Sequence, residues 1–459
     1  MTTMKKFYQF EYLFVVIALI MGWKMTYTNP PWQSNDEDRH FFNAYALTEG
    51  IIGPQYDGNF IGQELPDDLY NSVRSFQGIP FSQDAKISKS YVESAKKKKV
   101  NKRKRSFFKN TTSSKAPVGY IPAALGISLA KLFNKGALDI GYWARLFSLF
   151  AYIIILFFAI KEIPKGAKEV LFVVALSPMI LYQAASVSYD GLTLALLSLF
   201  LALTMKYYQN ILKIGWRQVA LLVSLVFIQR IVKDGYFLLY FVALVIPMKR
   251  FENKTIYFGM VTGLLMAAFL PSYIWSLYIN SLEIPYEARN FFQKDFHFNT
   301  GLNLKQNLNQ PIEFLTLIFQ NIFAQGKVWL RGAIGRFGYS YSLLPVPQII
   351  AWYLLIVVAA SHKRIATDPR FTLIVGLLAS LNVLMVVVGF FVASPVGSHF
   401  IYGLQGRYFS PILPFIALAF LKFNLIKVDE NYWKAGLSIC TLVLLFMSVQ
   451  FMDGYFYNP

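Results

Sequence analysis

Cysteine is almost absent from this chain of 459 residues. Cys440 is the one cysteine and falls in the last apolar stretch, so an intramolecular disulfide is excluded and a cysteine-based metal site is disfavoured. Charged residues are also scarce, at 15%, whereas a soluble domain has about a quarter. Together with 55% hydrophobic residues, this scarcity predicts a polytopic membrane protein rather than a set of soluble domains.

Signatures of several soluble enzymes are missing as well. The sequence has no Walker A loop, no G-x-S-x-G, no H-E-x-x-H and no C-x-x-C motif. An ATP-driven transporter and a zinc protease are therefore poorly supported. A cleavable signal peptide is disfavoured too, because no A-x-A site follows the first apolar stretch, which is long enough to be an uncleaved anchor.

Long apolar stretches recur along the whole chain, separated by Asn, Gly and Pro. Many approach the roughly 20 residues that cross a hydrocarbon core of about 30 Å. The predicted fold is a single all-α polytopic membrane domain over residues 1–459, with about 11 transmembrane helices. The predicted spans are 10–27, 141–160, 170–184, 191–208, 216–232, 236–248, 256–279, 345–360, 371–392, 408–423 and 434–451.

Basic residues predict the orientation of these spans. When the N-terminus, with Lys5 and Lys6, is put in the cytoplasm, every inner loop is rich in Lys or Arg, as the positive-inside rule requires. Those loops are 161–169, 206–217, 249–254, 362–370 and 422–434. The C-terminus is then extracytoplasmic. Segment 118–133, with an internal proline and glycine, is predicted as an interfacial or re-entrant helix that does not cross.

This topology gives two large extracytoplasmic loops, 28–119 and 280–344, the second with an amphipathic helix at about 311–329. The net charge of +19 could indicate nucleic-acid binding, but basic inner loops account for most of it, and no nucleic-acid partner is predicted. The remainder lies in the basic insert 94–115, which we expect to be disordered. It is either a solvated insert or a contact for an anionic partner such as lipid headgroups or a wall polymer.

Polar residues at the predicted outer ends of the spans form the candidate site. Polar groups at membrane depth are costly and usually line a cavity, so their convergence on one face predicts an extracytoplasmic site shared among loops. The candidates are Asp36, Glu37, Asp38, His40, Tyr189, Asp190, Lys233, Asp234, Arg331, Arg336, His399, Gln405, Arg407 and Tyr408.

Asp36 and Glu37 are the candidate catalytic residues. A carboxylate there could act as a general base towards an attacking hydroxyl, and burial would raise its pKa towards a useful range. Paired carboxylates could also hold a divalent cation. The structural alternative is a helix start, with Ser34 or Asn35 as the cap and the acids in the first turn.

The other candidates also have two interpretations each. Arg407 suits phosphate because its planar fork donates two parallel hydrogen bonds, although Arg407, Arg331 and Arg336 could instead snorkel to headgroups. Lys233 could contact a phosphate at the interface or pair with Asp234. Asp190 could be a helix cap, and the single histidines His40 and His399 are typical of structural hydrogen bonding.

Three blocks of this sequence resemble a bacterial family of polytopic membrane proteins of unknown function. The first block follows the pattern P-P-x-Q-x-x-D-E-x-x-H-F-x-x-A-Y and covers residues 30–45, with Asp36 and Glu37 at its acidic positions. The second is S-P-M…Q-A-A-S…Y-D-G at 177–191, and the third is Q-G-R-Y…P…P at 405–414. Asn35 stands where that family often has proline.

That family in turn resembles the GT-C glycosyltransferases, which include protein mannosyltransferases and lipid A aminoarabinose transferases. The resemblance implies a multi-span, GT-C-like enzyme whose first outer loop carries an acidic residue, matched here by Asp36 or Glu37. It implies transfer of a sugar from a polyprenyl-phosphate donor on the extracytoplasmic face of a bacterial membrane. We expect the acceptor to be a cell-envelope glycan or glycopolymer, and we expect attack by its hydroxyl, deprotonated by Asp36, to invert the anomeric carbon. Substrate binding is expected to involve His40, Tyr189, Asp190, Lys233, Arg331, Arg336, Gln405, Arg407 and Tyr408. The alternatives are a carrier or flippase for a lipid-linked polysaccharide, and a scaffold in envelope assembly.

Overall fold

The fold was analysed in a computed structural model that describes residues 9–79, 82, 84–209, 213–289, 298–339, 342–362, 369–419, 426 and 428–457. Lys5, Lys6 and parts of the predicted inner loops 362–370 and 422–434, which the predicted orientation uses, lie outside these residues. The described chain is mostly helical. This agrees with the sequence, because a helix satisfies its backbone hydrogen bonds internally when its side chains are apolar.

Within the described ranges, six helices are long and apolar enough to cross a membrane, and there is a seventh span if a bent pair is counted as one. The six are α1 (Phe10–Thr28), α6 (Ala137–Glu162), α9 (Asp190–Gln209), α11 (Lys254–Asn280), α16 (Pro369–Val392) and α18 (Glu430–Phe456). The bent pair consists of Lys165–Ala175, whose α-helical part is α7 (Lys168–Ala175), and α8 (Pro178–Ala184), with an angle of 71° between the two.

Of the eleven predicted spans, six or seven are evident among the described residues. The apolar runs counted in excess form shorter or different elements. Proline and glycine within or beside these runs limit the helix lengths, which apolar composition alone does not reveal. The runs are α10 (Trp216–Val232), α15 (Val346–Ser361), the 3₁₀ helix Phe237–Val245, and the 3₁₀ helix Gly406–Ile412 followed by α17 (Leu413–Ala419).

The remaining elements belong mainly to the two predicted outer loops. In the first loop and the segment after it they are α2 (Glu37–Leu47), β1 (Gln55–Tyr56), β2 (Ile61–Pro66), α3 (Asp67–Arg74), α4 (Lys89–Lys96), β3 (Arg105–Lys109), the 3₁₀ helix Pro117–Tyr120 and α5 (Ile121–Leu132). In the second they are α12 (Tyr286–Arg289), α13 (Thr300–Asn309), α14 (Pro311–Gly335), β4 (Arg336–Phe337) and β5 (Ser342–Leu343). Short 3₁₀ turns occur at Lys165–Ala167 and Met248–Arg250.

The basic insert 94–115 is ordered into a sheet, so the prediction of disorder is wrong. Its strand β3 pairs antiparallel with β2, which also pairs with β1. Phe108 explains the order, because its ring stacks on Tyr70 at 4.6 Å and on Phe42 at 6.1 Å. Two phenylalanines among the lysines and arginines supply the apolar contacts that a disordered segment lacks.

Two of the other predicted helices differ in length from expectation. Helix α5 has 12 residues and is about 18 Å long, less than the hydrocarbon core, which supports the prediction that segment 118–133 does not cross. Helix α14 has 25 residues, longer than the predicted amphipathic helix at 311–329, and it continues past Trp329 to Gly335.

The C-terminal end of α18 packs against the first outer loop. The backbone N–H of Ile87 donates to the carbonyl oxygen of Phe456 at 2.9 Å, and Ile87 forms a parallel bridge with Tyr457. Lys89 forms an ion pair with Asp453 at 3.0 Å. The last helix is therefore joined to the loop that follows the first helix.

Candidate functional site

Asp36 lies at the sharp turn that enters α2. Its φ of 57° is in the left-handed region, which costs energy for a residue with a side chain but is tolerated best by Asp and Asn. Its backbone N–H donates to the Tyr339 hydroxyl at 3.3 Å. The Asp36 side chain makes no capping hydrogen bond and is 38% exposed, so its carboxylate is available for another partner.

The predicted cap residues do not cap α2. Asp36 occupies the N-cap position, while the Ser34 hydroxyl accepts from the Asn29 side-chain amide at 2.9 Å and is hydrogen-bonded to Ser186 at 2.6 Å. The helix-start interpretation is therefore right about the position of the acids but wrong about the cap.

Arg407 bridges Asp36 to a second carboxylate. Its Nη2 is 3.5 Å from Asp36 Oδ2, and its Nη1 is 3.4 Å from Asp190 Oδ2. Asp190 also contacts the Lys233 ammonium, and it accepts from the Gln183 amide at 3.1 Å. Arg407 and Asp190 are almost fully buried, at 9% and 5% side-chain exposure. A continuous chain of charges therefore runs from Asp36 through Arg407 and Asp190 to Lys233.

This charge cluster, defined here as Asp36, Arg39, Asp190, Lys233 and Arg407, carries one positive charge in excess. Arg39 completes it at 3.6 Å from Asp36 Oδ1, so that the Asp36 carboxylate lies between two guanidinium groups. The two least exposed cations, Lys233 and Arg407, share one buried carboxylate, that of Asp190, and because buried charge is costly unless neutralised, this pair suits an anionic ligand.

Aromatic rings enclose the lysine end of the charge cluster. The Lys233 ammonium lies 4.6 Å from the ring centre of Tyr408 and 5.4 Å from that of Tyr189. The Arg407 guanidinium lies 5.1 Å from the Tyr408 ring and donates to its hydroxyl at 3.3 Å. Ring faces attract cations, and this holds both groups in position without neutralising their charge.

His40 is buried beside the same rings. Its Nδ1 is hydrogen-bonded to the Tyr120 hydroxyl at 2.9 Å, and its ring meets Tyr189 edge-on at 4.7 Å. Burial lowers the pKa of His40 to about 4, against the opposing effect of the Asp36 and Asp190 carboxylates. At neutral pH the imidazole is therefore uncharged, which agrees with the structural interpretation of this single histidine.

Two glycines fix the backbone that carries Arg407. Gly406 packs directly on α14, where a Cβ at position 406 would overlap the Trp329 carbonyl oxygen and lie 2.5 Å from the Ala333 nitrogen. A Cβ at Gly332 would come within 3.1 Å of the Gly406 Cα. This close approach of two backbones requires glycine and sets the distance between Arg407 and the rest of the cluster.

Glu37 has a different environment from its neighbour Asp36. Its carboxylate is fully buried and accepts from Arg145 Nε at 2.7 Å and Nη2 at 2.6 Å. It also accepts from the backbone N–H of Val187 at 3.0 Å. With every lone-pair direction occupied by protein donors, Glu37 is suited to holding the loops together, and Asp36 remains the better candidate base.

Arg145, like Arg39 of the charge cluster, is absent from the candidates predicted from the sequence. Besides Glu37 it donates to the carbonyl oxygens of Thr26, Asn29 and Pro30, at 2.7 to 2.9 Å. Its side chain is 2% exposed. The signal was present, because Arg145 is the one arginine within the apolar run of α6, and a charge at such a place implies a partner.

Other predicted residues have the following surroundings. The Gln405 carbonyl accepts from the backbone N–H of Tyr408 at 3.1 Å. Arg331 and Arg336 are close to each other near the end of α14, where burial and the charge of Arg331 lower the pKa of Arg336. Asp234 pairs with Arg230 rather than with Lys233. The His399 carbonyl oxygen accepts from Asn321 at 2.8 Å.

The predicted divalent-cation site is not formed by the acidic pair. Within the described ranges no group of three or more His, Cys, Asp or Glu side chains could hold a metal ion. Asp36 and Glu37 face different partners, a pair of arginines for the first and the buried Arg145 for the second. The charge cluster instead combines a partly exposed carboxylate with fixed cations, an arrangement that can accept a proton and stabilise an anion.

One comparison with known proteins gives a match. A family model described as "Predicted membrane protein (DUF2142)" matches residues 19–416, which include all three sequence blocks and the whole charge cluster. No curated protein matches the sequence.

Proposed function

The chain belongs to the DUF2142 family of predicted membrane proteins, and on that premise we propose that it is a GT-C-type membrane glycosyltransferase. The donor is a polyprenyl-phosphate-linked sugar, and the acceptor is a cell-envelope glycan or glycopolymer. The reaction takes place on the extracytoplasmic face of a multi-pass protein in the cell membrane, with the N-terminus in the cytoplasm and the C-terminus outside. The likeness to GT-C enzymes supports this class by analogy.

The observation that carries the proposal is the environment of Asp36. Its carboxylate is 38% exposed and is held next to Arg407, which is buried and also bound to Asp190. A base needs access to the hydroxyl it deprotonates, while a leaving phosphate needs cations fixed in advance. Both requirements are met within one charge cluster.

In the proposed reaction, the Asp36 carboxylate accepts the proton of an acceptor hydroxyl. The hydroxyl oxygen forms a bond to the anomeric carbon as the bond from that carbon to the phosphate oxygen breaks. The electron pair leaves with the polyprenyl phosphate, whose charge is stabilised by Arg407 and Lys233. Attack opposite to the leaving group inverts the configuration at the anomeric carbon. Tyr189 and Tyr408 offer aromatic faces for the sugar.

The test compares envelope glycans from cells whose only copy of the protein carries Asp36→Asn or Arg407→Lys. Both variants are expected to lose the glycan modification, because the first removes the base and the second removes the bidentate fork. Asp84→Asn, an exposed carboxylate in the same outer loop, is the matched control and is expected to behave as the unaltered protein. Unchanged glycan in both site variants, with normal membrane insertion, would refute the transferase.

The alternatives predict a different distribution of lipid-linked precursor. A carrier or flippase that is inactivated leaves the precursor in the inner leaflet, whereas an inactivated transferase leaves it in the outer leaflet. An assembly scaffold should tolerate Asp36→Asn. Protease or lectin access to the precursor in intact and opened cells therefore separates the three functions.

A further inference from the structure

A cavity of about 300 Å³ lies beside the charge cluster and has no role in the proposed proton transfer. Its walls come from the end of α10, the outer half of α11 and the segment around Lys115. Tyr189 and Lys233 line it as well, so the cavity and the charge cluster share a wall.

Cations outnumber acids in the lining of this cavity. Lys115, Arg230 and Lys233 line it together with a single carboxylate, that of Asp234. Asp234 is already paired with Arg230 and accepts from the Ser272 hydroxyl at 3.1 Å. Lys115 is exposed and has no ion pair with any carboxylate in the described part of the chain. An anion in the cavity would therefore meet an unneutralised ammonium.

Arg230 is held against the facing helix α11 near Pro271. Pro271 has no N–H, so the carbonyl oxygen of Ala267, four residues earlier, loses its helical donor, and the proline ring disturbs the turn that also contains Ala268. Arg230 Nε donates to the carbonyl oxygen of Ala268 at 2.7 Å. The guanidinium is thereby fixed at the cavity wall, and its Nη2 makes no hydrogen bond to the residues that the structure describes.

The cavity lies where an amphiphile could enter it from the bilayer. Helix α11 is a candidate span of which only 28% of the most apolar window is buried within the protein, so most of its surface faces lipid. Trp275 lines the cavity near the outer end of that helix, and its indole N–H donates to the Ser114 carbonyl oxygen at 2.7 Å. Tryptophan fixed in this way is typical of the level of lipid headgroups.

From these observations we infer that the cavity binds the phosphate group of a membrane lipid, with Lys115 and Arg230 as its ligands and Trp275 against the first part of the chain. The lipid is a polyprenyl phosphate or a phospholipid, and both offer the same phosphate chemistry. If the lipid is a polyprenyl phosphate, the inference rests on the proposed function. Lys233 then lies between the bound phosphate and the other members of the charge cluster, Arg407 and Asp36.

The experiment measures binding to the purified full-length protein in uncharged detergent. Four probes are compared: farnesyl phosphate, farnesol, dioctanoyl phosphatidylglycerol and inorganic phosphate. Farnesyl phosphate is expected to bind more tightly than farnesol or inorganic phosphate, because the site requires both a charge and a chain. Lys115→Gln is expected to weaken it about two- to fivefold, as for an exposed ion pair, with a smaller loss at high salt. Lys102→Gln, an exposed lysine of the same loop, is the matched control.

A second measurement does not depend on the size of that effect. In a Cys440→Ser background, Ser276→Cys puts a single thiol at the cavity wall. Farnesyl phosphate should protect this thiol from a maleimide, and farnesol should not. Equal protection by phosphatidylglycerol would assign the site to phospholipid headgroups, which also supports a lipid-phosphate site.

The inference is overturned if Lys115→Gln binds farnesyl phosphate as tightly as Lys102→Gln does and the thiol is unprotected by every probe. That result would leave the transferase intact if Asp36→Asn still abolished glycan modification. Conversely, normal lipid binding together with unchanged glycan in the Asp36 variant would refute the transferase and retain the lipid site.

Discussion

Glu37→Gln should lower the stability of this protein more than Asp36→Asn does, although the two acids are adjacent. Glu37 is fully buried and receives two hydrogen bonds from Arg145, whose side chain is 2% exposed. Removing one partner of such a pair leaves an uncompensated buried charge and costs about 3–5 kcal/mol. Asp36 is 38% exposed, and Arg407 keeps Asp190 when Asp36 is neutral, so the cost there is about 1 kcal/mol or less.

The assay is thermal unfolding in detergent, followed by the amount of monodisperse protein that remains after heating. For 459 residues the entropy of unfolding makes 1 kcal/mol worth about 1 °C in Tm, so Glu37→Gln is expected to lower Tm by about 3–5 °C. The double variant Glu37→Gln/Arg145→Met should recover part of the loss, because no buried charge is left without a partner. A Glu37→Gln protein as stable as the unaltered one, or an Asp36→Asn protein that is the less stable of the two, would refute the assignment of roles.

Two further predictions concern the close backbone contact at Gly406 and the pH dependence of stability that His40 causes. Gly406→Ala should cost about 1–3 kcal/mol through overpacking against α14 and should impair glycan modification by moving Arg407, whereas Gly436→Ala, which meets no neighbouring atom, should be tolerated. A stable and active Gly406→Ala protein would contradict the close approach. Burial lowers the pKa of His40 to about 4 in the folded protein, so as the pH decreases the unfolded chain binds a proton at this histidine before the folded protein does. The free energy of unfolding should therefore fall by up to about 3 kcal/mol as the pH decreases from about 6.5 towards 4. His40→Gln should flatten that dependence in a Tm series over pH, and an unchanged slope would exclude this histidine as its source.

The membrane class and four of the five members of the charge cluster, all but Arg39, could be predicted from the sequence because both depend on polarity alone. A polar residue at the end of an apolar run has few tolerable environments, so Asp36, Asp190, Lys233 and Arg407 could be expected to meet. What the sequence could not give was the partner of each. Asp36 and Glu37 are adjacent, yet a left-handed residue at Asp36 turns one carboxylate to the cluster while the other is buried against Arg145.

The differences between the predicted and the observed fold have a common cause, because the average composition of a segment does not determine its conformation. The apolar run around Phe237–Val245 is a nine-residue 3₁₀ helix rather than a span, and the basic run contains the strand Arg105–Lys109. In both segments a few residues determine the conformation. Gly235 and Pro247 lie at the two ends of the apolar run, and Phe107 and Phe108 lie within the basic run. Averages over a window conceal such residues.

The backbone hydrogen bond between Ile87 and Phe456 has a consequence for how late in biosynthesis the protein can complete its fold. In the proposed orientation, the first outer loop crosses the membrane while most of the chain has yet to be made, but its edge is completed only by residues of the last helix. Asp36 and Arg407, which are 371 residues apart, likewise meet only at the end of translation. The nascent protein should therefore remain catalytically silent and open to proteases outside the membrane until its final helix has inserted, and a C-terminal truncation before Asp453 should behave as an arrested assembly intermediate.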